Sequence, residues 1–191
     1  EQAADNIARA SHYETLALTD HLTGLRNRRA FEYMLEREIE RTRRYGRPMS
    51  LMLVDLDGFK CINDCYGHPV GDQALQWVGK GLRSNVREAD VVARVGGDEF
   101  AIICPETDSR GAETLGRRLL GSGPRLSVTG PTRLSLSIGI AEASGDSLTV
   151  SELYRRADLA LYAAKDAGGG RLCVYSAELE TDAAQIGQET R

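Results

Sequence analysis

Two short apolar runs, residues 91–95 and 100–104, are separated only by the tetrapeptide Gly96-Gly97-Asp98-Glu99. Apolar runs of this length joined by a tight turn that begins with glycine are typical of a β-hairpin. The hairpin fixes one antiparallel pair in whatever sheet the chain forms. It also places two carboxylates side by side on a rigid turn, where they repel each other unless a cation or solvent compensates.

Helical and strand patterns alternate on either side of the hairpin. Asn27 is predicted to cap the N-terminus of a helix that Gly46 and Pro48 end. The hydrophobic periodicity predicts further helices over residues 71–86, 109–120 and 151–167, and strands over residues 49–54, 133–141 and 171–175. We therefore expect an α+β fold with a central mixed, mainly antiparallel β-sheet flanked by helices.

The length of the chain fits one domain with an extension at each end. Dividing 191 residues by the roughly 150 of an ordinary domain gives about 1.3. We expect an N-terminal signalling helix or linker over residues 1–19, a single domain over 20–176 and a polar tail over 177–191. Residue 1 is Glu and no signal-peptide pattern follows, so the chain is predicted to be a fragment of a longer protein.

Composition excludes several classes of protein. A hydrophobic content of 41% supplies enough apolar surface for a core, which excludes disorder over most of the length. No apolar run approaches the roughly 18 residues that a bilayer crossing needs. A net charge of -4 argues against a long nucleic acid as partner. The four scattered cysteines indicate reduced thiols and a cytoplasmic location, with tethering to a membrane sensor left open for the full-length protein.

Acidic side chains gather at the predicted ends of two strands. Asp55 and Asp57 follow the strand predicted over 49–54, and Asp98 and Glu99 lie in the hairpin turn. If the two strands are neighbours, Asp55, Asp98 and Glu99 meet as an all-oxygen cage, which suits Mg²⁺ or Mn²⁺ better than zinc. An acidic turn exposed to water is the alternative, and the spacing alone leaves both open.

Other metal and phosphate motifs are excluded. An EF-hand loop beginning at Asp55 would need Gly and Glu where the chain has Lys60 and Tyr66. No segment matches the GxxxxGK[ST] phosphate loop. Cys61 and Cys65 could share a helix face, but without further ligands we expect both side chains to serve packing.

The order of the motifs resembles that of the GGDEF-domain diguanylate cyclases, a family similar to the palm of nucleotidyl cyclases and polymerases. The matching segments extend over about residues 20–175, in the family's order and spacing. They are DHLTGLRNRR (20–29), DLDGFK (55–60), IND (62–64), YGH (66–68), GD (71–72), RVGGDEF (94–100), LSIGIA (136–141) and RADLALY (156–162) leading to AK (164–165). The resemblance implies a palm-like sheet with a ferredoxin-like core, in which the hairpin presents Gly96-Gly97-Asp98-Glu99-Phe100.

The resemblance also implies an activity, the condensation of two GTP molecules into cyclic di-GMP with release of two pyrophosphates. Asp55, Asp98 and Glu99 would be the catalytic acids and would hold two Mg²⁺ (or Mn²⁺) ions per active site, assisted by the carbonyl of Leu56. Asp98 would bind metal, take the proton of the attacking 3′-hydroxyl, or do both, and the sequence does not distinguish these roles.

The substrate contacts follow from the same resemblance. Asn63 and Asp72 match the guanine-reading residues of the family. A carboxylate at Asp72 favours guanine because adenine offers an acceptor at N1 and would leave the carboxylate unpaired. The other implied GTP contacts are Phe59 through nearby backbone amides, Lys60 and Lys165 through their charges, and Gly96 and Gly97 through close backbone approach.

Control and assembly are implied as well. Arg87 and Asp90 form an RxxD tetrad at the offset of the family's product-inhibition site, which Arg117 or Arg118 of a neighbouring subunit would complete. Because one site holds one GTP, the chemistry implies a homodimer. We expect an upstream sensory module to set the orientation of the two domains, and no nucleic acid polymer or membrane contact for this fragment.

One departure from the family concerns the segment after Lys165. Gly169 occupies the usual position of an arginine, so either a phosphate contact is absent or Arg171 reaches in from the flexible glycine run. Weaker triphosphate binding is the resulting hypothesis. A cyclic di-GMP receptor without turnover and a GTP-sensing regulatory module are the alternatives to a cyclase. The intact acids argue against the receptor, since such domains usually lose them.

Overall fold

The computed structural model describes residues 18–121, 134–143 and 149–180. Its strands are β1 (Arg26–Asn27), β2 (Met49–Asp57), β3 (Val91–Arg94), β4 (Glu99–Cys104), β5 (Ser135–Ala143) and β6 (Leu172–Val174). Its helices are α1 (Arg28–Tyr45), α2 (Phe59–Tyr66), α3 (His68–Ser84), α4 (Ser109–Gly121) and α5 (Val150–Asp166). The predicted signalling helix before residue 18 and the predicted tail beyond residue 180 lie outside the described residues.

The six strands of this described part form a single mixed sheet in the order β1-β3-β4-β2-β5-β6. β2 is central and pairs antiparallel with both β4 and β5. β3 and β4 pair antiparallel as the predicted hairpin, and the edge strands β1 and β6 pair parallel with their neighbours. The predicted mixed, mainly antiparallel sheet is therefore confirmed.

Helices cover both faces of the sheet. On one face, α2, α3 and α4 pack against strand residues such as Val54, Phe100 and Ile138. On the other face, α1 and α5 pack against residues such as Leu53 and Ala101. Successive residues of a strand point to opposite faces, so the nearly continuous apolar sequence of β2 supplies both cores.

The ends of α1 agree with the sequence prediction. Oδ1 of Asn27 accepts the backbone N–H of Ala30 over 3.0 Å, which is an N-cap hydrogen bond. Gly46 ends the helix in the left-handed region with φ 66° and donates its N–H to the carbonyl of Thr42. Among the described residues, no helix is both long enough and apolar enough to span a membrane.

The largest differences from the predicted element boundaries concern β2 and α3. β2 runs to Asp57 and not to residue 54, because β4 pairs with it as far as Asp55 and β5 as far as Asp57. The helix predicted over 71–86 begins at His68 and ends at Ser84, and the separate helix α2 precedes it. Gly67, with φ 82°, is the junction between the two helices. Because this glycine has a positive φ, which interrupts a right-handed helix, α2 ends here and α3 begins as a separate helix.

Candidate active site

Asp55 lies near the end of the central strand, between the hairpin and β5. Its direct cross-strand partners are Glu99 on β4 and Ser137 on β5. Directly opposed residues of antiparallel strands project from the same face of the sheet, so the carboxylates of Asp55 and Glu99 start from one face. Asp55 is only 6% exposed, whereas Glu99 is exposed. The neighbouring strands that the predicted acidic site requires are thus present.

The hairpin turn is held in place from two sides. The N–H of Leu56 donates to the carbonyl of Asp98 over 3.3 Å, which ties the turn to the end of β2. The guanidinium of Arg94 donates to the carbonyl of Gly97 over 2.8 Å. The same guanidinium donates to the two carboxylate oxygens of Asp20 over 3.2 and 3.3 Å. The acidic turn is therefore anchored both to the sheet and to the start of the domain.

Asp20, to which the sequence assigned no role, is a well-bonded carboxylate. It accepts the backbone N–H and the hydroxyl of Thr23 over 2.9 and 2.7 Å, in addition to the bonds from Arg94. Burial raises the pKa of Asp20, but the hydrogen bonds from Thr23 and Arg94 outweigh burial and hold that pKa below its ordinary value. Asp20 is consequently the ionised partner that orients Arg94.

Lys165, near the end of α5, places its ammonium 2.7 Å from Oδ2 of Asp55. Burial raises the pKa of Asp55, the hydrogen bond and charge of Lys165 oppose this, and the charges of Asp98 and Asp57 add to the rise. A buried carboxylate needs a compensating cation, and Lys165 is that cation here. The contact was not part of the sequence prediction, which assigned Lys165 to phosphate alone.

The acids have the donor chemistry for a hard divalent cation but are not assembled into a cage. All of their donors are oxygen atoms, as Mg²⁺ prefers. Glu99 folds over its own turn, since a Cβ placed on Gly96 would lie 2.3 Å from Glu99 Oε2. Within residues 18–121, 134–143 and 149–180, no three His, Cys, Asp or Glu side chains converge on one point. The predicted ligands Asp55, Asp98 and Glu99 thus lie at one end of the sheet without converging on a single point.

Asp57, two residues further along β2, forms hydrogen bonds on the same face as Asp55. Its Oδ2 accepts the Ser135 hydroxyl over 2.7 Å and the Gly170 N–H over 2.8 Å, and its Oδ1 accepts the Ser137 hydroxyl over 2.7 Å. Asp57 therefore anchors the loop after α5. The sequence reasoning missed this role, although period-two spacing in both Asp55/Asp57 and Ser135/Ser137 was a usable signal.

The glycine run after α5 adopts a conformation that favours glycine. Gly168, Gly169 and Gly170 have φ values of 104°, 70° and 64°. A Cβ on Gly169 would lie 3.1 Å from Oδ1 of Asp57. Arg171 is exposed and donates from Nε to the carbonyl of Gly169 over 3.3 Å, so its side chain lies along its own loop. This chain therefore has a backbone reason for glycine where the family usually has arginine.

A corner between α2 and α3 brings Asn63 beside Gly71 and the ring of Phe59. Oδ1 of Asn63 is buried and has no hydrogen-bond partner. A Cβ on Gly71 would lie 2.0 Å from this oxygen and 3.3 Å from the Phe59 ring, so a side chain at Gly71 would displace it. Leaving a buried acceptor unpaired costs about 1–3 kcal/mol, which a ligand N–H could recover. Asp72 follows Gly71 on α3 and is exposed.

The N-terminus of α2 follows directly after β2. Gly58, with φ 74°, precedes the helix, and no side chain caps it there. The first N–H groups of a helix lack intrahelical acceptors and attract anions. Lys60 is exposed in this first turn. The predicted phosphate-binding groups near Phe59 and Lys60 thus lie at the same end of the sheet as the acids.

Arg87 and Asp90 lie in the connection between α3 and β3. Oδ2 of Asp90 accepts the backbone N–H of Arg87 over 2.8 Å, and Asp90 is only 5% exposed. Arg118 on α4 donates to a backbone carbonyl of the same connection. Arg117 is exposed and pairs with an acid on its own helix. Within one chain, Arg87 and Asp90 are bonded to each other and Arg118 contacts the same connection at the carbonyl of Asn85. The contribution of Arg117 or Arg118 from a neighbouring subunit stays a prediction.

Comparison with known proteins agrees with this arrangement. The family model described as "Diguanylate cyclase, GGDEF domain" matches residues 17–171. The chain belongs to the GGDEF diguanylate cyclase family. The Asp98–Glu99 turn described above is the DE of the motif that gives the family its name, so the motif and the fold identify the same part of the molecule.

Curated relatives of this GGDEF domain are larger bacterial proteins. The bifunctional diguanylate cyclase/cyclic di-GMP phosphodiesterase MucR of Pseudomonas aeruginosa is 40% identical over 183 residues, which cover 94% of this chain and 27% of MucR. The response regulator PleD of Caulobacter vibrioides is 38% identical over 162 residues, which cover 82% of this chain and 36% of PleD. The chain therefore spans about a third of the length of these relatives.

Solved GGDEF domains share the fold. The coiled coil and GGDEF domain of DgcB from Caulobacter crescentus, in complex with c-di-GMP, matches with a TM-score of 0.79 and 29% identity over 91% of this chain and 95% of that chain. The active GGEEF domain of a diguanylate cyclase from Vibrio cholerae matches with a TM-score of 0.74 and 30% identity over 78% and 97% of the two chains. The palm-like fold predicted from the motifs is thereby confirmed.

Proposed function

We propose that this GGDEF domain is a diguanylate cyclase that joins two GTP molecules into cyclic di-GMP and releases two pyrophosphates. The observation that best supports the proposal is the cross-strand position of Asp55 and Glu99, with Asp98 bonded to the backbone at the end of the same strand. Three acids from two segments of chain thus lie at one end of the sheet, and the helix α2 that follows β2 carries the unpaired buried acceptor of Asn63.

The acids would provide the metal site and the base. Asp55, Asp98 and Glu99, with the Leu56 carbonyl, would hold two Mg²⁺ or Mn²⁺ ions. When bound, such ions neutralise triphosphate charge and stabilise the departing pyrophosphate. Asp98 is proposed to accept the proton of the 3′-hydroxyl. The bonds that Leu56 and Arg94 make to the carbonyls of Asp98 and Gly97 hold the backbone that carries this carboxylate.

The triphosphate would lie along the groups that surround the acids. Lys165 is paired with Asp55 yet 43% exposed, so its ammonium can be shared with a phosphate oxygen. Lys60 and the amides at the start of α2 supply further donors from the opposite side. Gly96 and Gly97 carry no side chain, which allows the phosphates to approach the backbone of the turn.

Guanine would be recognised in the corner between α2 and α3. Oδ1 of Asn63 is a buried acceptor that lacks a donor, and the N–H groups of guanine are donors. Asp72, on the adjacent turn of α3, would accept from N1–H and the exocyclic amine. Adenine has an acceptor at N1 and would leave the carboxylate unpaired, which gives preference for GTP over ATP.

Turnover would require two copies of the domain facing each other, because each GTP supplies the hydroxyl that attacks the phosphate of the other. In the full-length protein, an upstream sensory module would set this orientation. Arg87 and Asp90 would bind the product and slow turnover, and Arg117 or Arg118 of a neighbouring subunit would complete this site. Asp90 already uses one carboxylate oxygen to hold the turn, so Oδ1 is the oxygen proposed to face guanine.

The activity is tested by incubating the chain with GTP and Mg²⁺ and separating the nucleotides by chromatography. We expect cyclic di-GMP, formed at a rate per subunit that rises with protein concentration. Asp98→Asn should lower the rate at least about 100-fold, as loss of a charged group at the reacting centre does. Glu40→Gln is the matched control, since Glu40 is an exposed acid on α1, and its rate should equal that of the unmodified chain.

GTP that remains unchanged at every protein concentration would contradict the cyclase proposal. Equilibrium binding then decides between the alternatives. Retained GTP binding would indicate a GTP-sensing module, and binding of cyclic di-GMP alone would indicate a receptor.

A further inference from the structure

Cys61 and Cys65 form an exposed pair of thiols on the outer face of α2. They lie one helical turn apart, and their Sγ atoms are 3.7 Å from each other. Both side chains are exposed, so the packing role expected from the sequence is wrong. Free cysteine is among the most frequently buried residue types, and two exposed thiols in contact have no packing function that would explain them.

The distance between the two Sγ atoms matches the distance between two ligand atoms bound to one tetrahedral metal ion. Two thiolates bound to zinc at about 2.3 Å with a tetrahedral angle lie about 3.8 Å apart. The observed 3.7 Å is therefore a chelating distance that needs almost no movement of the sulfur atoms. A disulfide would require the same atoms to approach to about 2.05 Å, which an undistorted helical turn opposes.

We propose that Cys61 and Cys65 bind a thiophilic divalent cation such as Zn²⁺ through both sulfur atoms. Soft thiolate ligands select such ions over Mg²⁺, so this site is chemically distinct from the acids at the end of β2. Binding releases the two thiol protons and forms two metal–sulfur bonds, with no oxidant or reductant required.

The site is expected to be exchangeable and not structural. In the described part of the chain no third Cys, His, Asp or Glu completes a cluster with the two thiols, so water would fill the remaining positions. A two-sulfur site binds more weakly than the four-ligand sites that hold small domains together. Because the ion would bridge the first and second turns of an eight-residue helix, its binding should stabilise α2.

The experiment uses the whole chain, reduced and freed of metal with a chelator. It is titrated with Cd²⁺, whose thiolate complexes absorb in the ultraviolet, and then with Zn²⁺ in competition. We expect one ion per chain, reversal by chelator without added reductant, and a rise in the melting temperature with Zn²⁺. Cys61→Ser and Cys65→Ser should each weaken binding at least tenfold and abolish the rise.

Cys173→Ser is the matched control, because Cys173 lies on β6 and is partly buried. It should bind as the unmodified chain does. Absence of thiolate absorption in the unmodified chain, or an affinity of Cys61→Ser and Cys65→Ser equal to that of the unmodified chain, would overturn the proposal. The titration needs no nucleotide, so its failure leaves the proposed cyclase activity unaffected, and the reverse also holds.

Discussion

Gly170 donates its backbone N–H to Oδ2 of Asp57 over 2.8 Å, although the two residues are 113 positions apart in sequence. With the hydroxyls of Ser135 and Ser137, this bond connects β2, β5 and the loop after α5 through one carboxylate. Lys165 precedes that loop by only a few residues. Asp57 supports the loop, and Asp55 is contacted by Lys165. The two carboxylates are therefore immediate neighbours on the same face of β2.

Asp57→Ala removes the acceptor of three donors. Because unpaired donors and a lost loop anchor both destabilise the folded state, we expect the free energy of unfolding to fall by about 1–3 kcal/mol. Asp57→Asn keeps one acceptor and should lose less. Urea unfolding measures both, and Asp64→Ala, at an exposed acid of α2, is the control. Equal stability of Asp57→Ala and Asp64→Ala would show that the anchor contributes nothing.

Gly169→Arg should not simply restore the arginine that the family usually has. A side chain at φ 70° is strained by about 1 kcal/mol or more, and the new Cβ would lie 3.1 Å from Asp57. We expect lower stability, measured by thermal unfolding, and Gly169→Asn should be milder because asparagine tolerates this region. A Michaelis constant for GTP that falls in Gly169→Arg would support the hypothesis of a missing phosphate contact. An unchanged constant would remove that hypothesis.

Gly71→Ala tests the guanine corner. The added methyl group would lie 2.0 Å from Oδ1 of Asn63 and must displace it, so the Michaelis constant for GTP should rise at least tenfold. Gly81→Ala is the control on the same helix, where a Cβ meets nothing within 4 Å. Alanine there should raise stability by about 0.4–1 kcal/mol and leave the Michaelis constant unchanged. Similar Michaelis constants in the two variants would argue against guanine binding at Asn63.

Asp20→Asn should alter how stability depends on pH. The pKa of Asp20 is lowered in the folded state, so its contribution is complete above the ordinary carboxyl pKa of 3.8 and is lost as pH falls through the lower folded value. The stability difference between the two proteins should be constant from about pH 7 to about pH 5 and shrink below the ordinary value. Urea midpoints at several pH values measure it. A difference that grows towards acid would reverse the assigned sign.

Arg87→Ala and Asp90→Ala should separate product binding from folding. Arg87 is exposed, so its truncation should remove inhibition by added cyclic di-GMP with little change in stability. Asp90 is buried and accepts the Arg87 N–H, so its truncation should also lower the free energy of unfolding by about 1–3 kcal/mol. Initial rates with and without product provide the readout, with Arg110→Ala on α4 as control. Undiminished inhibition in Arg87→Ala would refute the product site.

Local signals predicted much of the fold. The hairpin around Gly96 and Gly97, the Asn27 cap and the stop at Gly46 all depend on neighbouring residues, and each agrees with the structure. The extension of β2 to Asp57 does not follow from local composition, because acids are poor strand formers. It follows from pairing with β4 as far as Asp55 and with β5 as far as Asp57, which a single-sequence pattern does not contain.

The sequence predicted which residues belong to the candidate site but not which contacts they make. Motif order placed Asp55, Asp98 and Glu99 in one site; the register pairs Asp55 with Glu99, and a backbone hydrogen bond ties Asp98 to Leu56. The Lys165–Asp55 ion pair joins elements over 100 residues apart, and such pairs depend on how α5 packs on the sheet. The exposure of Cys61 and Cys65 was mispredicted because a shared helix face does not show which face packs on the core, and α2 buries Ile62 instead.

Arg94 connects Asp20, where the chain enters the domain, directly to the carbonyl of Gly97 in the acidic turn. We therefore expect a displacement of the backbone at Asp20 to reach the acidic turn through this single guanidinium. A signal from an upstream module that moves Asp20 would need to pass through only the Arg94 side chain to reach the acidic turn.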